Sequence, residues 1–378
     1  MRNWLACLPT LVVLLGGAAF ADPAHDFITA RAELAKHTDE AGFLDDDPRT
    51  PMVIRRVWGA AETVARSSGS EAQAEATLAS LDKDMSVFAT QLDPSSLLFG
   101  LSINGIGDVF IVEHGVVAWR LGDTPAAGSL KPLLAWDLRA SKSDCAEKHP
   151  DSDTWYACSP LGVTSLGRLP DGAAGLHRFW IDAAYVQAAG ETDSGQISFW
   201  AWDGAHAKPL MLHIFEFHIE LDGGPTLAGH LLSLPVKDEF NSFFSCGACE
   251  GRQRVWRFEA TPSGIRDLGK VSKVPELDLI DSLYSRAFTH QPLGSRAVPA
   301  AQRAIEASAE RADHSRSMSD GWALSADRRR LCFSTDAGGA MLFTLRGTRI
   351  GPVVASARPL GDDGCGDLVH WPGATSGS

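Results

Sequence analysis

The sequence lacks long apolar segments. After the short run at residues 11–15 (LVVLL), no stretch comes near the roughly eighteen uninterrupted apolar residues that mark a membrane-spanning helix. We therefore predict no transmembrane segment.

An excess of basic residues is also absent. The chain has 34 Lys and Arg against 47 Asp and Glu, which gives a formal net charge of −13. Such a chain has no general attraction to nucleic acid or to anionic lipid. We interpret its short basic runs, at 328–330 and at Arg252, Arg254 and Arg257, as solvated strand faces and predict no nucleic-acid partner.

Familiar catalytic motifs are missing as well. The sequence contains no G-x-S-x-G, no H-E-x-x-H and no phosphate-binding glycine loop. Residues 80–83 fit S-x-x-K and residues 102–104 fit S-x-N, as in penicillin-recognising serine enzymes. These two lie too close together, and no K-T-G follows. The sequence thus indicates no catalytic residue, no metal site and no cofactor.

The first 21 residues have the pattern of a Sec-type signal peptide. Arg2 supplies the positive charge, residues 11–15 form the apolar centre, and residues 19–21 (AFA) form a small-x-small cleavage site. We expect cleavage after Ala21, which removes one base and no acid and leaves a charge of −14. The expected location is the bacterial periplasm or the exterior.

Cysteine number supports an oxidising compartment. Removal of Cys7 with the signal leaves six cysteines, an even number in an exported chain. Short loop closure favours pairing between neighbours, although six cysteines allow fifteen connectivities. The proposed pairs are Cys145–Cys158, Cys246–Cys249 and Cys332–Cys365.

Residues 22–95 are predicted to form a helical N-terminal module. Apolar residues recur at helical spacing from Phe27, and Thr50-Pro51 is an N-cap followed by proline at the first helical position. The alanine-rich segment 71–92 continues the helical composition after the break at 67–70.

Residues 96–360 are predicted to be β-rich, because short alternating segments follow one another between Gly, Asp and Pro turns. The expected architecture is α+β and mostly antiparallel, as a sandwich, a barrel or an irregular propeller. A helical insertion is expected at about 275–317 and a flexible tail at 361–378. The candidate strands are 97–103, 109–113, 116–121, 130–137, 176–186, 196–203, 210–221, 253–260, 322–334, 341–346 and 352–357.

Residues 321–347 (GWALSADRRRLCFSTDAGGAMLFTLRG) carry W-x-x-S-x-D, a basic turn and L-x-F-S-T-D. This segment resembles one repeat of the β-propellers of the periplasmic Tol translocation family. The resemblance covers one repeat, with no second copy at regular spacing, and it implies three strands here.

The segment 218–249 resembles the zinc-deaminase signature H-x-E…P-C-x-x-C, with Cys246 and Cys249 as the cysteine pair. Ser245 replaces the motif's proline, and the histidine lies on a predicted strand rather than at a helix start. The same CGAC sequence is typical of a thioredoxin-like site only when a helix follows it. Here another strand follows, which favours a structural disulfide over redox exchange.

The strand at 210–221 places Glu216, His218 and Glu220 on one face and His213 on the other. Two carboxylates flanking a histidine are capable of binding a metal, but charged residues on an outer face are also what a half-exposed strand requires. We consider this trio the best candidate for a functional surface.

Three tryptophans form the second candidate. Trp200 and Trp202 share a face of one predicted strand, and Trp180 lies on another. They either form an aromatic platform for a glycan or fill a β core, and the second role is the commoner one.

We expect an exported, non-catalytic binding protein of the bacterial cell envelope. Its partner is expected to be another envelope or secreted protein, or a glycan, bound through a β face or an edge. The alternative is a secreted hydrolase acting on an envelope glycan or peptide, with a site not visible in the sequence.

Overall fold

The computed structural model describes residues 22–38, 47–68, 70–103, 106–121, 162–186, 192–216, 224–238, 252–311, 319–335, 339–349, 351–361, 365 and 375–377. In these ranges the chain forms five α-helices and seventeen strands, and every strand pairing is antiparallel. The predicted α+β fold, mostly antiparallel, is confirmed. None of the described helices has the length and apolar character needed to cross a membrane.

Three helices come first along the described chain: α1 (Pro23–Leu34), α2 (Thr50–Arg66) and α3 (Glu71–Leu81). Their starts follow local chemistry. The Asp22 side chain accepts a hydrogen bond from the amide of Ala24, and the Ser70 side chain caps α3 through the amide of Gln73. Proline in the first turn of α1 and α2 costs no intrahelical hydrogen bond.

The strands form four sheets, each built from consecutive strands. Sheet 1 contains β1 (Met85–Asp93), β2 (Ser96–Ile103), β3 (Ile106–Glu113) and β4 (Val116–Arg120). Sheet 2 contains β5 (Gly162–Leu169), β6 (His177–Val186), β7 (Thr192–Trp202) and β8 (Ala207–Glu216). Sheet 3 contains β9 (Thr226–Ala228), β10 (Leu231–Asp238), β11 (Arg252–Thr261) and β12 (Gly264–Ser272).

Sheet 4 contains β13 (Ser319–Leu324), β14 (Arg330–Thr335), β15 (Gly339–Thr348), β16 (Gly351–Gly361) and β17 (Thr375–Gly377). Two helices precede it, α4 (Pro275–Phe288) and α5 (Pro299–Arg311). The helical insertion expected at about 275–317 is therefore present, as two helices. The three strands implied by the propeller-like segment are β13, β14 and β15.

The helical prediction for residues 71–92 was wrong in its second half. The helix α3 ends at Leu81, and Met85–Asp93 is strand β1, which pairs along its length with β2. Pairing with β2 buries Met85 against the helices and Leu92 against sheet 2. This tertiary burial overrides the helix-favouring composition of the segment.

The sequence patterns did not predict four of the strands, and one predicted strand lies outside the described residues. The strands β5, β9, β10 and β12 have no counterpart among the candidates. The candidate at 130–137 lies outside the described residues. In the segment expected to be a flexible tail, β17 pairs with β13.

The layers follow from strand alternation. Helices α1 to α3 pack on one face of sheet 1, around Val57, Leu78 and Phe99. The opposite face of sheet 1 packs on sheet 2, and the far face of sheet 2 packs on sheet 3. Because β2 and β7 lie inside these layers, they are apolar on both faces.

A separate core joins α4 and α5 to sheet 4, with Ile280, Ile305, Trp322 and Phe343 at its centre. On the opposite side of sheet 4, a disulfide connects Cys332 of β14 to Cys365. This is the pairing predicted from the neighbouring positions of the two cysteines. Cys145, Cys158, Cys246 and Cys249 lie outside the described residues.

Candidate binding site at two open sheet edges

The structure buries the tryptophan candidates. Trp200 is 1% exposed and Trp202 is fully buried, and both belong to the core between sheets 1 and 2. Trp180 lies on the opposite face of sheet 2, in the core against sheet 3. The register explains this separation, because Trp180 pairs with Phe199 and therefore shares its face. These rings fill cores and present no common surface for stacking.

Of the candidate trio Glu216, His218 and Glu220, only Glu216 lies within the described residues. Glu216 is the last residue of β8 and pairs with Ser194 of β7. His218 and Glu220 lie outside the described residues, as do both cysteines of CGAC. Within the parts of the chain that the structure describes, no group of three or more His, Cys, Asp or Glu is placed to hold a metal ion.

The two strands β8 and β12 end their sheets. In the described part of the chain, β8 pairs only with β7, and β12 pairs only with β11. The inner faces of both sheets meet, so the two edges lie beside each other at one point. Each edge strand also carries an irregularity in its register, at Leu210 in β8 and at Leu268 in β12.

His213 and Asp267 connect these two edges. The His213 Nε2 atom lies 3.5 Å from Oδ2 of Asp267. The other oxygen of Asp267 accepts hydrogen bonds from the indole Nε1 of Trp256 (2.8 Å) and from the amide of Gly269 (2.7 Å). The aspartate is thus held by donors from β11 and β12 while it faces the histidine of β8.

The surroundings of His213 are mainly aromatic. Its ring lies 4.8 Å from that of Trp256 and 5.5 Å from that of Phe258, measured between centroids. Burial lowers the pKa of the imidazole, and the Asp267 carboxylate opposes that shift in part. Lys270, the residue paired with Trp256 across the two strands, has its Nζ 4.9 Å from the centroid of the indole. A charged side chain thus covers the aromatic cluster at the rim.

Exposed apolar side chains accompany the open edges. Leu268 is 44% exposed and Val271 is 43% exposed, both on β12, and Leu210 on β8 is also exposed. One exposed leucine or valine is ordinary, but two of these three lie three residues apart on the same edge strand, β12. We use the name edge site for these residues of the two edge strands: Leu210, His213, Asp267, Leu268, Lys270 and Val271.

No model of a known protein family matches this chain, and no curated protein sequence matches it. The edge site therefore has to be interpreted from its own chemistry. It combines two strands that each pair on one side only within the described ranges, exposed apolar groups and charged groups.

The sequence patterns predicted two of the three strands around this site but did not propose the site itself, since the candidate trio Glu216, His218 and Glu220 was assigned to the opposite face of the strand from His213. They predicted the β8 strand with His213 and the β11 strand with Trp256. They missed β12, which carries Asp267, Leu268 and Lys270. The turn at 262–264 (Pro-Ser-Gly) directly after a predicted strand was the available signal, since such a turn predicts a hairpin partner.

Proposed function

We propose that this chain is an exported, non-catalytic binding protein of the bacterial cell envelope. It binds an extended segment of another envelope or secreted protein along the edge of β12. The observation that carries this proposal is that β12, among the described residues, pairs on one side only and carries exposed Leu268 and Val271. An extended peptide adds to such an edge through main-chain hydrogen bonds, and its alternate side chains contact those of the edge strand.

Two further observations support parts of this proposal. The disulfide Cys332–Cys365 is typical of a protein that matures in an oxidising compartment, in agreement with the signal-like residues 1–21. Burial of Trp180, Trp200 and Trp202 favours a protein partner over a glycan, because buried rings are not available to stack on sugars.

Hydrogen exchange with a probe peptide tests the edge. The probe is a seven-residue peptide of Thr and Val in extended alternation, made with Glu at both ends and again with Lys at both ends. We expect at least one of the two to slow exchange of the β12 amides. Val271→Asp should abolish this protection, because a carboxylate replaces an apolar contact on the edge.

The matched control is Ile28→Asp, which changes another exposed β-branched apolar residue, on α1. This variant should leave the protection of β12 intact. The proposal fails if neither peptide protects β12, or if Val271→Asp and Ile28→Asp respond alike.

A further inference from the structure

The hairpin formed by β11 and β12 has a charge opposite to that of the whole chain. Residues 253–273 contain five bases and two acids, whereas the chain carries a net charge of −13. The bases are Arg254, Arg257, Arg266, Lys270 and Lys273. A local excess of positive charge on an acidic protein attracts an anionic partner to one place and repels it elsewhere.

Three of these bases lie on the outer face of sheet 3, away from sheet 2. The register pairs Arg257 with Gly269 and Arg266 with Glu259, and it pairs Val271 with Val255. Lys273 continues the same alternation, since its amide donates to the carbonyl of Gln253. Arg257, Arg266, Val271 and Lys273 therefore share one face.

Each of these bases is accessible from the β12 edge. Arg257 stands on β11, but its partner on β12 is Gly269, which has no side chain to screen it. Arg266 pairs with Glu259 and has further N–H donors for a second carboxylate. The side chain of Lys273 is exposed.

We propose that the segment bound at β12 is acidic at both ends of a seven-residue stretch, with an apolar residue near one end. This inference rests on the proposed function. Between Arg266 and Val271, β12 contains one residue more than the strand paired with it, because Leu268 is bulged. A partner strand that follows the register of β11 thus needs an acid opposite Arg266, an apolar residue four positions away opposite Val271, and an acid two positions further opposite Lys273.

The bulge and the charged residues of β12 restrict which strands can pair with its edge. Bulges and charged residues on an edge strand oppose indiscriminate pairing between sheets. In β12 both are present, so an uncharged or basic strand is disfavoured. A strand with matching acids neutralises the bases and contacts Val271. The edge therefore pairs preferentially with such a strand.

Fluorescence anisotropy with two labelled peptides tests the inference. The first has Glu at positions 1 and 7, Val at position 3 and Thr elsewhere, in the order that suits antiparallel addition. The second has Lys in place of both Glu residues. We expect the Glu peptide to bind about tenfold more tightly at low salt, with a smaller difference at high salt because the charges are exposed.

The variant Arg257→Glu/Lys273→Glu should reverse this preference, so that the Lys peptide binds more tightly. Arg303→Glu, which changes an exposed base on α5, is the control and should leave it unchanged. If both peptides bind equally and both protect β12 amides, the predicted preference for an acidic segment is wrong while the proposed function stands.

If neither peptide protects β12, the proposed function itself fails. A sulfated oligosaccharide that binds as tightly as the Glu peptide, without protecting β12, would show a general anion site and overturn the inference. Sedimentation of the unliganded protein as a dimer, lost in Val271→Asp, would also overturn it, since the edge would then hold a second copy of this chain.

Discussion

The guanidinium of Arg178 on β6 donates a hydrogen bond of 2.5 Å to the backbone carbonyl of Thr261, the last residue of β11. The same side chain donates to the carbonyls of Gly264, Pro170 and Asp171. Arg178 is only 3% exposed, and burial lowers its pKa from the usual value. One side chain thus ties the end of sheet 2 to the turn that begins β12.

Replacing Arg178 by Met should therefore destabilise the protein strongly. The change removes the hydrogen bonds that Arg178 donates to four carbonyls, of which Gly264 keeps the Thr261 hydroxyl as a donor. We expect a loss of about 2 to 4 kcal/mol in the free energy of unfolding. Urea unfolding checks the value. Arg168→Met, which removes an exposed ion pair with Asp171, should cost less than about 1 kcal/mol. Equal losses for the two variants would contradict this role for Arg178.

Gly100 on β2 lies where sheet 1 packs tightly against side chains of β5 in sheet 2. A Cβ atom there would lie 2.7 Å from Cδ2 of Leu166 and 2.9 Å from Cγ1 of Val163. Gly100→Ala should lower the free energy of unfolding by about 1 to 3 kcal/mol, because the sheets must separate locally. Gly59→Ala in the interior of α2 meets nothing within 4 Å and should instead stabilise by about 0.5 to 1 kcal/mol. Thermal unfolding of the two variants should show shifts of opposite sign.

His213 should make stability depend on pH. Burial lowers the pKa of its imidazole in the folded state, so the unfolded chain, with a histidine pKa of about 6.5, binds more protons in the interval between the two values. The free energy of unfolding should thus decrease as the pH falls through about 6.5, until the lowered folded-state pKa is passed.

The variant His213→Gln should remove that part of the pH dependence. Urea unfolding between about pH 8 and pH 5 measures it. The control is His206→Gln, which changes an exposed histidine in the turn before β8 and should keep the slope of the parent protein. A parent-like slope in His213→Gln would assign the effect to other groups.

The disulfide between Cys332 and Cys365 should contribute substantially to stability. It closes a loop with a sequence separation of 33 residues, for which chain-entropy reasoning gives about 3 to 4 kcal/mol. We expect Cys332→Ala/Cys365→Ala to unfold at a lower urea concentration and to exchange the amides of β17 faster, because Cys365 precedes that strand. Unchanged unfolding would show that packing alone holds this end of the chain.

Local sequence patterns predicted those helices and strands in which apolar residues recur at a regular spacing. Alternation in β8 and β11, and the Thr50-Pro51 pair at the start of α2, indicated structures that form there. The prediction failed for Met85–Asp93, where pairing with β2 decides the conformation. It also missed β12, whose glycines and charges mask the alternation of a strand that lies at an edge.

The sequence by itself determined the class of fold, the acidic character of the chain and the expectation of export, because these depend on composition and on short-range periodicity. Only the tertiary structure decided that Trp180 faces away from Trp200, and that His213 meets Asp267 across two sheets. Those relationships depend on which strands become neighbours. Neighbours are chosen by the packing of whole sheets, and residues distant in the chain carry no local signal of that choice.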